Sequence, residues 1–405
     1  MRNKPRVLLQ YTQEQILSRA FMLAFKTASE HFTRNSPLNF KNTALLILHM
    51  IKKSIKVELM DYFYQIGSPI DIPSRQAFSQ AREKISYLAF KDFFEKSCEL
   101  ALDSDSLYKG YRIFAVDGTS FIVGLVDKLA AYFGESTTTP GKAMCRISAI
   151  VDVLDDCIVN AAVSPFHTGE RALAIKQIAG LQTVPNAVFL FDRGYWSPEL
   201  ASTVAAAEQK FLIRLASNIG KTRFRDKNGI EHDGRRYSFT LPDGTKEVLL
   251  TNLSEEEMSD KELACLYAKR WGIESKYFEL KDRLQIDKLS GESINSVLQD
   301  IYSTMYISNL TAFICLEADE KIREETAEKD NKYEQKANRS VCIAALRRRF
   351  IDICLMDDPV LVHLAFERLR NDISKEVSYI GKSISRPRDK RKIKNARKIK
   401  KNSYL

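Results

Sequence analysis

Two short runs, RIFAVD and AVFLFD, constrain this chain most. Each is apolar and β-prone, and each stops on a carboxylate, Asp117 in the first and Asp192 in the second. Both read as short strands with an acid where the strand should end. Between and after them the texture keeps alternating. Cys145–Val153 and Cys157–Ser164 are β-rich, and Leu154-Asp155-Asp156 between them is a hairpin signal. Thr168 can cap a helix through about Leu181, Ser197–Gln209 is helical, and Phe211–Leu215 is a further strand. Strand, hairpin, helix, strand, helix, strand is an α/β order. A single aspartate at a strand end is common in turns; the joint pattern is what carries information.

A third carboxylate belongs to a different kind of segment. Leu263–Leu289 reads as one long helix. At about 100° per residue, Tyr267, Arg270, Glu274 and Lys281 fall within about 60° of arc. Leu266, Ile273, Leu280 and Leu284 occupy the neighbouring flank, so a core stripe runs beside a chemical one. Glu274 with Arg270 is also an ordinary ion pair one turn apart, and the stripe by itself is equally compatible with a structural helix.

Taken together, Asp117, Asp192 and Glu274 form an Asp…Asp…Glu set, and Tyr267, Arg270, Glu274 and Lys281 have the spacing Y-x2-R-x3-E-x6-K. Here the chain resembles the DDE transposases of bacterial insertion sequences, in the IS-four-like group with the Y-R-E-K signature. At average residue usage that spacing arises by chance in a chain this long about once in a few hundred. Gly-Thr after Asp117 and Arg-Gly-Tyr after Asp192 also resemble the family. The resemblance covers Arg112–Leu289 well and the flanks loosely. It implies a ribonuclease H-like catalytic core whose two aspartates lie on adjacent central strands, with the late helix bringing Glu274 over them. It implies Asp117, Asp192 and Glu274 as catalytic metal ligands. It implies DNA contacts from Tyr267, Arg270 and Lys281, with double-stranded DNA (element ends and target) as partner and a dimer in the DNA complex.

The chemistry agrees with that set. Three convergent carboxylates repel unless cations lie between them. Two divalent ions relieve the repulsion and supply phosphodiester chemistry. Oxygen ligands favour Mg²⁺, with Mn²⁺ able to substitute. Trp271, beside the stripe, can stack on a displaced base or simply pack, and Trp196 carries the same ambiguity. His167 and Glu170 form H-x-x-E at a helix start, an arrangement that suits metal chemistry or, more often, a cap and a surface pair. With five scattered His and no H-E-x-x-H, zinc and Ser/His hydrolytic chemistry have no support. The expected activity is metal-dependent cleavage and strand transfer at element ends. A nuclease that does not join, and a silent DNA-binding descendant of a transposase, are the alternatives.

The net charge of +10 sits almost wholly in Lys382–Lys401, with eleven Lys/Arg against one acid, Asp389. Such a tail suits nucleic acid or is simply a solubilising end. Seven Cys without C-x-x-C spacing argue against disulfides and zinc ribbons, and for reduced thiols. The charged start and the absence of a long apolar run lead to the expectation of a soluble, cytoplasmic bacterial protein.

The organisation expected is a helical region at 1–108 for DNA-end binding, a catalytic domain at 109–316 with a small β insertion at about 216–260, helices at 317–381 and the tail at 382–405. In the first region, Thr12 is a possible cap for a helix through Ser29, and Thr43–Met60 is a second helix. Ser74 precedes a short basic helix carrying Arg75, Arg82 and Lys84, suited to a DNA groove. Lys91–Ser104 is another helix. In the insertion, Arg223, Arg225, Arg235 and Arg236 fit either a phosphate-facing surface or a solvated hairpin. Ile294–Leu316, Cys342–Cys354 and Pro359–Ile373 read as helices, and Lys321–Lys336 as a loop or an exposed helix.

Overall fold

The structure is a computed structural model. It describes residues 3–380 except 50–51, 69–71, 137–138, 217–218, 221, 242–243 and 330–332. The basic stretch at 382–401 lies outside the described residues, as does part of each turn expected near 66–74 and 242–244.

Six helices come first: α1 (Lys4–Leu17), α2 (Arg19–Phe25), α3 (Phe40–His49), α4 (Ile55–Gln65), α5 (Arg75–Arg82) and α6 (Leu88–Leu102). Two expected helices are each broken in two. Thr12 is buried inside α1 and donates back to the Leu8 carbonyl (2.8 Å), so it is not the cap. Ser18 is extended and accepts from the Phe21 N–H (3.2 Å), starting α2. A hydroxyl that competes for backbone groups ends one helix and caps the next. Ser74 caps α5 as expected, accepting from the Ala77 N–H (3.1 Å). Arg82, however, does not face a groove. It is buried and pairs with Asp300 (2.8 Å), with further bonds to Ser290, Gln299 and the Ser296 carbonyl.

The sheet follows. Its strands are β1 (Arg112–Gly124), then after α7 (Asp127–Phe133) β2 (Glu135–Ser136), β3 (Thr139–Asp152) and β4 (Cys157–Pro165). After α8 (Glu170–Ala179) comes β5 (Ala187–Phe191), and after α9 (Pro198–Ala206) comes β6 (Lys210–Leu215). The hairpin joining β3 and β4 is the one expected, and Asp156 takes a positive φ in it. β3 lies antiparallel to β1, and β5 and β6 run parallel to β1 in turn. The order β4-β3-β1-β5-β6, an antiparallel trio continued by two parallel strands through crossover helices, is the ribonuclease H-like α/β arrangement. Strand alternation divides its faces. Ile113, Val188 and Leu190 pack on one side; Phe114, Phe189 and Phe191 on the other.

The insertion corrects the expectation in part. β7 (Arg223–Arg225) and β8 (Glu231–Asp233) form a separate small hairpin, but β9 (Arg235–Thr240) and β10 (Lys246–Thr251) extend the main sheet beyond β6. β10 is apolar on both faces, with Leu249 and Leu250 fully buried on opposite sides of the sheet, so it pairs on the open edge of β6. Then come α10 (Asp260–Ala268), α11 (Trp271–Phe278) and α12 (Ile294–Thr326). α12 is 33 residues long and buried along most of its length, which is why its sequence reads apolar almost all round. Its Asn309 side chain accepts from the Ile158 N–H and donates to the Ile158 carbonyl (both 2.8 Å), pinning β4 at the bulge in its pairing with β3. The chain closes with β11 (Glu334–Ala337), α13 (Arg339–Leu355), α14 (Pro359–Ser374) and β12 (Val377–Ile380). The β11–β12 pair was not expected, since its partners are some 40 residues apart and neither is apolar enough to declare a strand. All seven cysteines are free thiols, six of them buried.

Candidate active site

The parallel pairing of β1 with β5 ends at Val116 opposite Phe191. The next residue on each strand is the aspartate, so Asp117 and Asp192 stand side by side where the strands part. β1 itself continues to Gly124 against β3, so Asp117 is at the end of the parallel pairing, not of its strand. By alternation both carboxylates fall on the face that carries Ile113, Val188 and Leu190, toward α10 and α11. Burial raises the Asp117 carboxyl to about 6. The Gly118 N–H (2.9 Å) and Arg270 oppose the shift, and Glu170 and Asp192 add to it. Asp192 Oδ1 is buried without a hydrogen-bond partner; its nearest cation, Arg214, is 3.9 Å away and pairs with Glu247 at 2.8 Å.

Leu263–Leu289 is not one helix. α10 and α11 are joined through Lys269 and Arg270 by a tightened turn, in which the Arg270 N–H bonds the Tyr267 carbonyl (3.0 Å) and the Ile273 N–H bonds the Arg270 carbonyl (3.1 Å). After Phe278 the chain widens into a π turn at Glu279–Arg283, closed by the Leu284 N–H on the Glu279 carbonyl (2.9 Å). Gly272 sits at the tight turn with Val153 at 3.0 Å from a Cβ placed there, so the helix lies close on the β3–β4 hairpin. Both irregularities serve positioning: they rotate the stripe onto β1. Tyr277 donates to the Asp117 carbonyl (2.7 Å), and the Lys281 ammonium bonds Thr119 Oγ1 and lies 3.4 Å from the Ser120 carbonyl.

The four stripe residues therefore part ways. Tyr267 and Arg270 are buried. Arg270 bonds Glu274 Oε1 (3.0 Å), and its charge is also shared with Asp192 and Asp117. Its guanidinium lies 5.2 Å from the Trp271 ring centre, and Trp271 itself is 52% exposed. Glu274 is paired with Arg270 and is partly exposed. Among the described residues no three His, Cys, Asp or Glu side chains are close enough to hold one metal ion. The donors present still suit a hard cation, because two adjacent carboxylates and an orphaned, buried Asp192 oxygen are an all-oxygen set with unfilled valence.

Sequence reasoning missed two groups here, and ranked a third, Glu170, as a cap and surface pair ahead of a metal role. Tyr277 and Tyr195 are buried with their hydroxyls at the aspartates, and Glu170 lies at Gly118. Tyr195 had a signal in the motif after Asp192; Tyr277 had only its place on the helix, masked by the π turn. His167 lies over Gly134 instead, apart from the pair. In the insertion, Arg223 pairs with Glu231 and Asp233, Arg235 with Asp260, and Arg236 with two carbonyls, which leaves Arg225 as the exposed guanidinium of that group.

The family model described as the transposase DDE domain matches residues 108–310, half of the chain. The chain belongs to the DDE transposase-domain family. It is 26% identical over 145 residues to a putative transposase, InsZ, of Escherichia coli K12, covering 33% of this chain and 47% of that protein. It is also 26% identical over 250 residues to a putative transposase for insertion sequence element IS4SA of Synechocystis, covering 58% and 70%. The first match thus spans about half the length of that relative. The matched stretch in this transposase family member runs from just before β1 into α12 and contains every carboxylate described above. A solved piggyBac transposase synaptic complex with hairpin DNA aligns over 91% of this chain and 84% of that one, at 10% identity and a TM-score of 0.46. No described helix is long and apolar enough to cross a membrane.

Proposed function

We propose that this transposase family member binds the ends of its mobile element, cuts a phosphodiester there and joins the freed 3′-hydroxyl to target DNA. The observation that carries the proposal is the register that sets Asp117 beside Asp192, with a buried carboxylate oxygen that lacks a hydrogen-bond partner; Arg270, which bonds Glu274, lies in the field of both aspartates. Asp117 and Asp192 are the principal holders of divalent ions, two Mg²⁺ (or Mn²⁺), and Glu274 joins them on leaving Arg270. Bound there, such ions activate the attacking oxygen and stabilise the leaving one.

The chain's own residues prepare the site. Arg270, already shared among the carboxylates, is the guanidinium that a phosphate at this place meets, with Tyr267 behind it. Lys281, held by Thr119 and Ser120, offers a fixed ammonium beside Asp117, and Tyr277 fixes the Asp117 backbone. Trp271, exposed and backed by Arg270, offers a stacking face for a base. Double-stranded DNA is the substrate, and pairing of two ends makes the working complex a dimer.

The test is cleavage of a labelled duplex bearing the terminal repeats that flank the gene, with Mg²⁺ and with EDTA. Metal-dependent nicking at the repeat boundary, lost in Glu274→Gln, establishes reaction and site. Nicking without joined products on a target plasmid points to a nuclease. Binding without nicking points to a silent DNA-binding descendant.

A further inference from the structure

The first turn of α8 brings another carboxylate to the centre. Glu170 opens that helix, and its Cδ and Oε1 each lie 2.9 Å from where a Cβ on Gly118 would be. Gly118 follows Asp117 on β1. Only a residue without a side chain admits the acid there. Alternation puts the Gly118 position on the face opposite Asp117, so Glu170 reaches the strand from the α8 side. The two acids meet across β1 at the point where it leaves β5, close enough for Glu170 to add to the proton affinity of Asp117. The Glu170 side chain is 40% exposed, and its ion pair with Arg146 is long, at 3.6 Å.

A second, independent feature points the same way. Tyr195 is 2% exposed and its hydroxyl has no hydrogen-bond partner. Burial raises its pKa, with Asp117, Glu170 and Asp192 adding to the rise and Arg146 opposing it, and its backbone N–H bonds the Asp192 carbonyl (3.0 Å), which sets the residue beside the aspartate pair. A phenylalanine would fill the same space against Phe191 without leaving a buried donor unmet. That buried donor is left unmet in a residue bonded to Asp192.

We propose that Glu170 is a further acidic ligand of this centre, holding a divalent cation jointly with Asp117, and that the Tyr195 hydroxyl is the donor that orients their carboxylates. The inference rests on reading Asp117 and Asp192 as a metal-holding pair. Sequence spacing left Glu170 between metal chemistry and the more frequent cap and surface pair; the Gly118 approach sets it beside Asp117.

The test is Mn²⁺ binding to the full chain without DNA, followed by the electron paramagnetic resonance signal of free Mn²⁺, so that cleavage is not the readout. Glu170→Gln is expected to weaken Mn²⁺ affinity about tenfold or more, and Tyr195→Phe to lie between it and the unaltered chain. Gly118→Ala keeps the acid but pushes it away, and is expected to weaken binding as Glu170→Gln does; it decides the matter if Glu170→Gln fails to fold. Unchanged Mn²⁺ affinity in both Glu170→Gln and Gly118→Ala, with binding lost in Asp117→Asn, overturns the role of Glu170 alone. Unchanged affinity in Asp117→Asn, or no saturable Mn²⁺ binding by the unaltered chain, overturns the metal-holding pair and this inference with it.

Discussion

Asp192 is the residue whose surroundings ask most plainly for something further. Its buried oxygen has no donor, and Arg214 stands off at 3.9 Å because Glu247 holds it. Asp192→Asn is expected to reduce Mg²⁺-dependent cleavage by about 10³-fold or more, the several kcal/mol a metal contributes, while end binding persists. Cleavage at the unaltered rate in a quantitative gel assay would remove Asp192 from the site. Asp117 makes a pH prediction. Its carboxyl goes from 3.8 to about 6 on folding, mainly through burial. The folded state therefore holds its proton more tightly than the unfolded chain. Stability falls as pH rises through this window, and the cost is fully present above about pH 6. Without divalent ions, Asp117→Asn is expected to raise stability above pH 6 by up to ~3 kcal/mol and to flatten denaturation midpoints between about pH 4 and 6. A midpoint that moves the other way would show that Asp117 is stabilised as the anion by Arg270.

At the scale of elements, two buried polar side chains decide how helices meet the sheet. Arg82 docks α5 on α12 through Asp300, with both side chains almost wholly inaccessible. Arg82→Met leaves Asp300 buried with only Ser290 to satisfy it, and is expected to destabilise the fold by about 3–5 kcal/mol, measured by urea unfolding. A loss under about 1 kcal/mol would mean the N-terminal helices are not fixed by this pair. Asn309 acts as a one-residue strand partner for Ile158. Asn309→Leu strands both peptide groups of Ile158 at the bulge, at a cost of about 1–3 kcal/mol for each unmet group. Faster amide exchange confined to β4 is the accompanying signature. Both residues were unremarkable in the sequence: Arg82 read as a basic residue on a DNA-facing helix, and Asn309 as one polar residue in an apolar run. A buried charge and an exposed one have the same letter, and only the partner across more than 200 residues distinguishes them for Arg82.

For the whole molecule, the tail at 382–405 and the described residues are expected to make separable contributions to DNA affinity. Deleting Lys382–Leu405 is expected to lower affinity for element ends and to make the log–log salt dependence shallower by about 0.9 for each phosphate that is no longer neutralised. An unchanged slope in fluorescence anisotropy would make the tail a solubilising end only. Arg223, Arg235 and Arg236 are already occupied within the insertion, so replacing Arg225 is expected to change affinity more than replacing any of them.

By itself, the sequence determined the order of β1, the β3–β4 hairpin, α8, β5, α9 and β6, though not α7 and β2 between β1 and β3, together with the two aspartates and the Y-R-E-K spacing, because these depend on period, β-propensity and short-range spacing. Tertiary structure decided what those letters face. The parallel register put Asp117 next to Asp192, a fact that no local pattern contains. The tight turn at Arg270 and the π turn after Phe278 broke the expected single helix, because fitting Gly272 against Val153 and Lys281 onto Thr119 outweighs regular helical geometry. Burial turned Tyr267 and Arg270 inward, and the missing side chain of Gly118 let Glu170 in. A helical wheel assumes a straight helix with nothing packed around it; the site is made where neither condition holds.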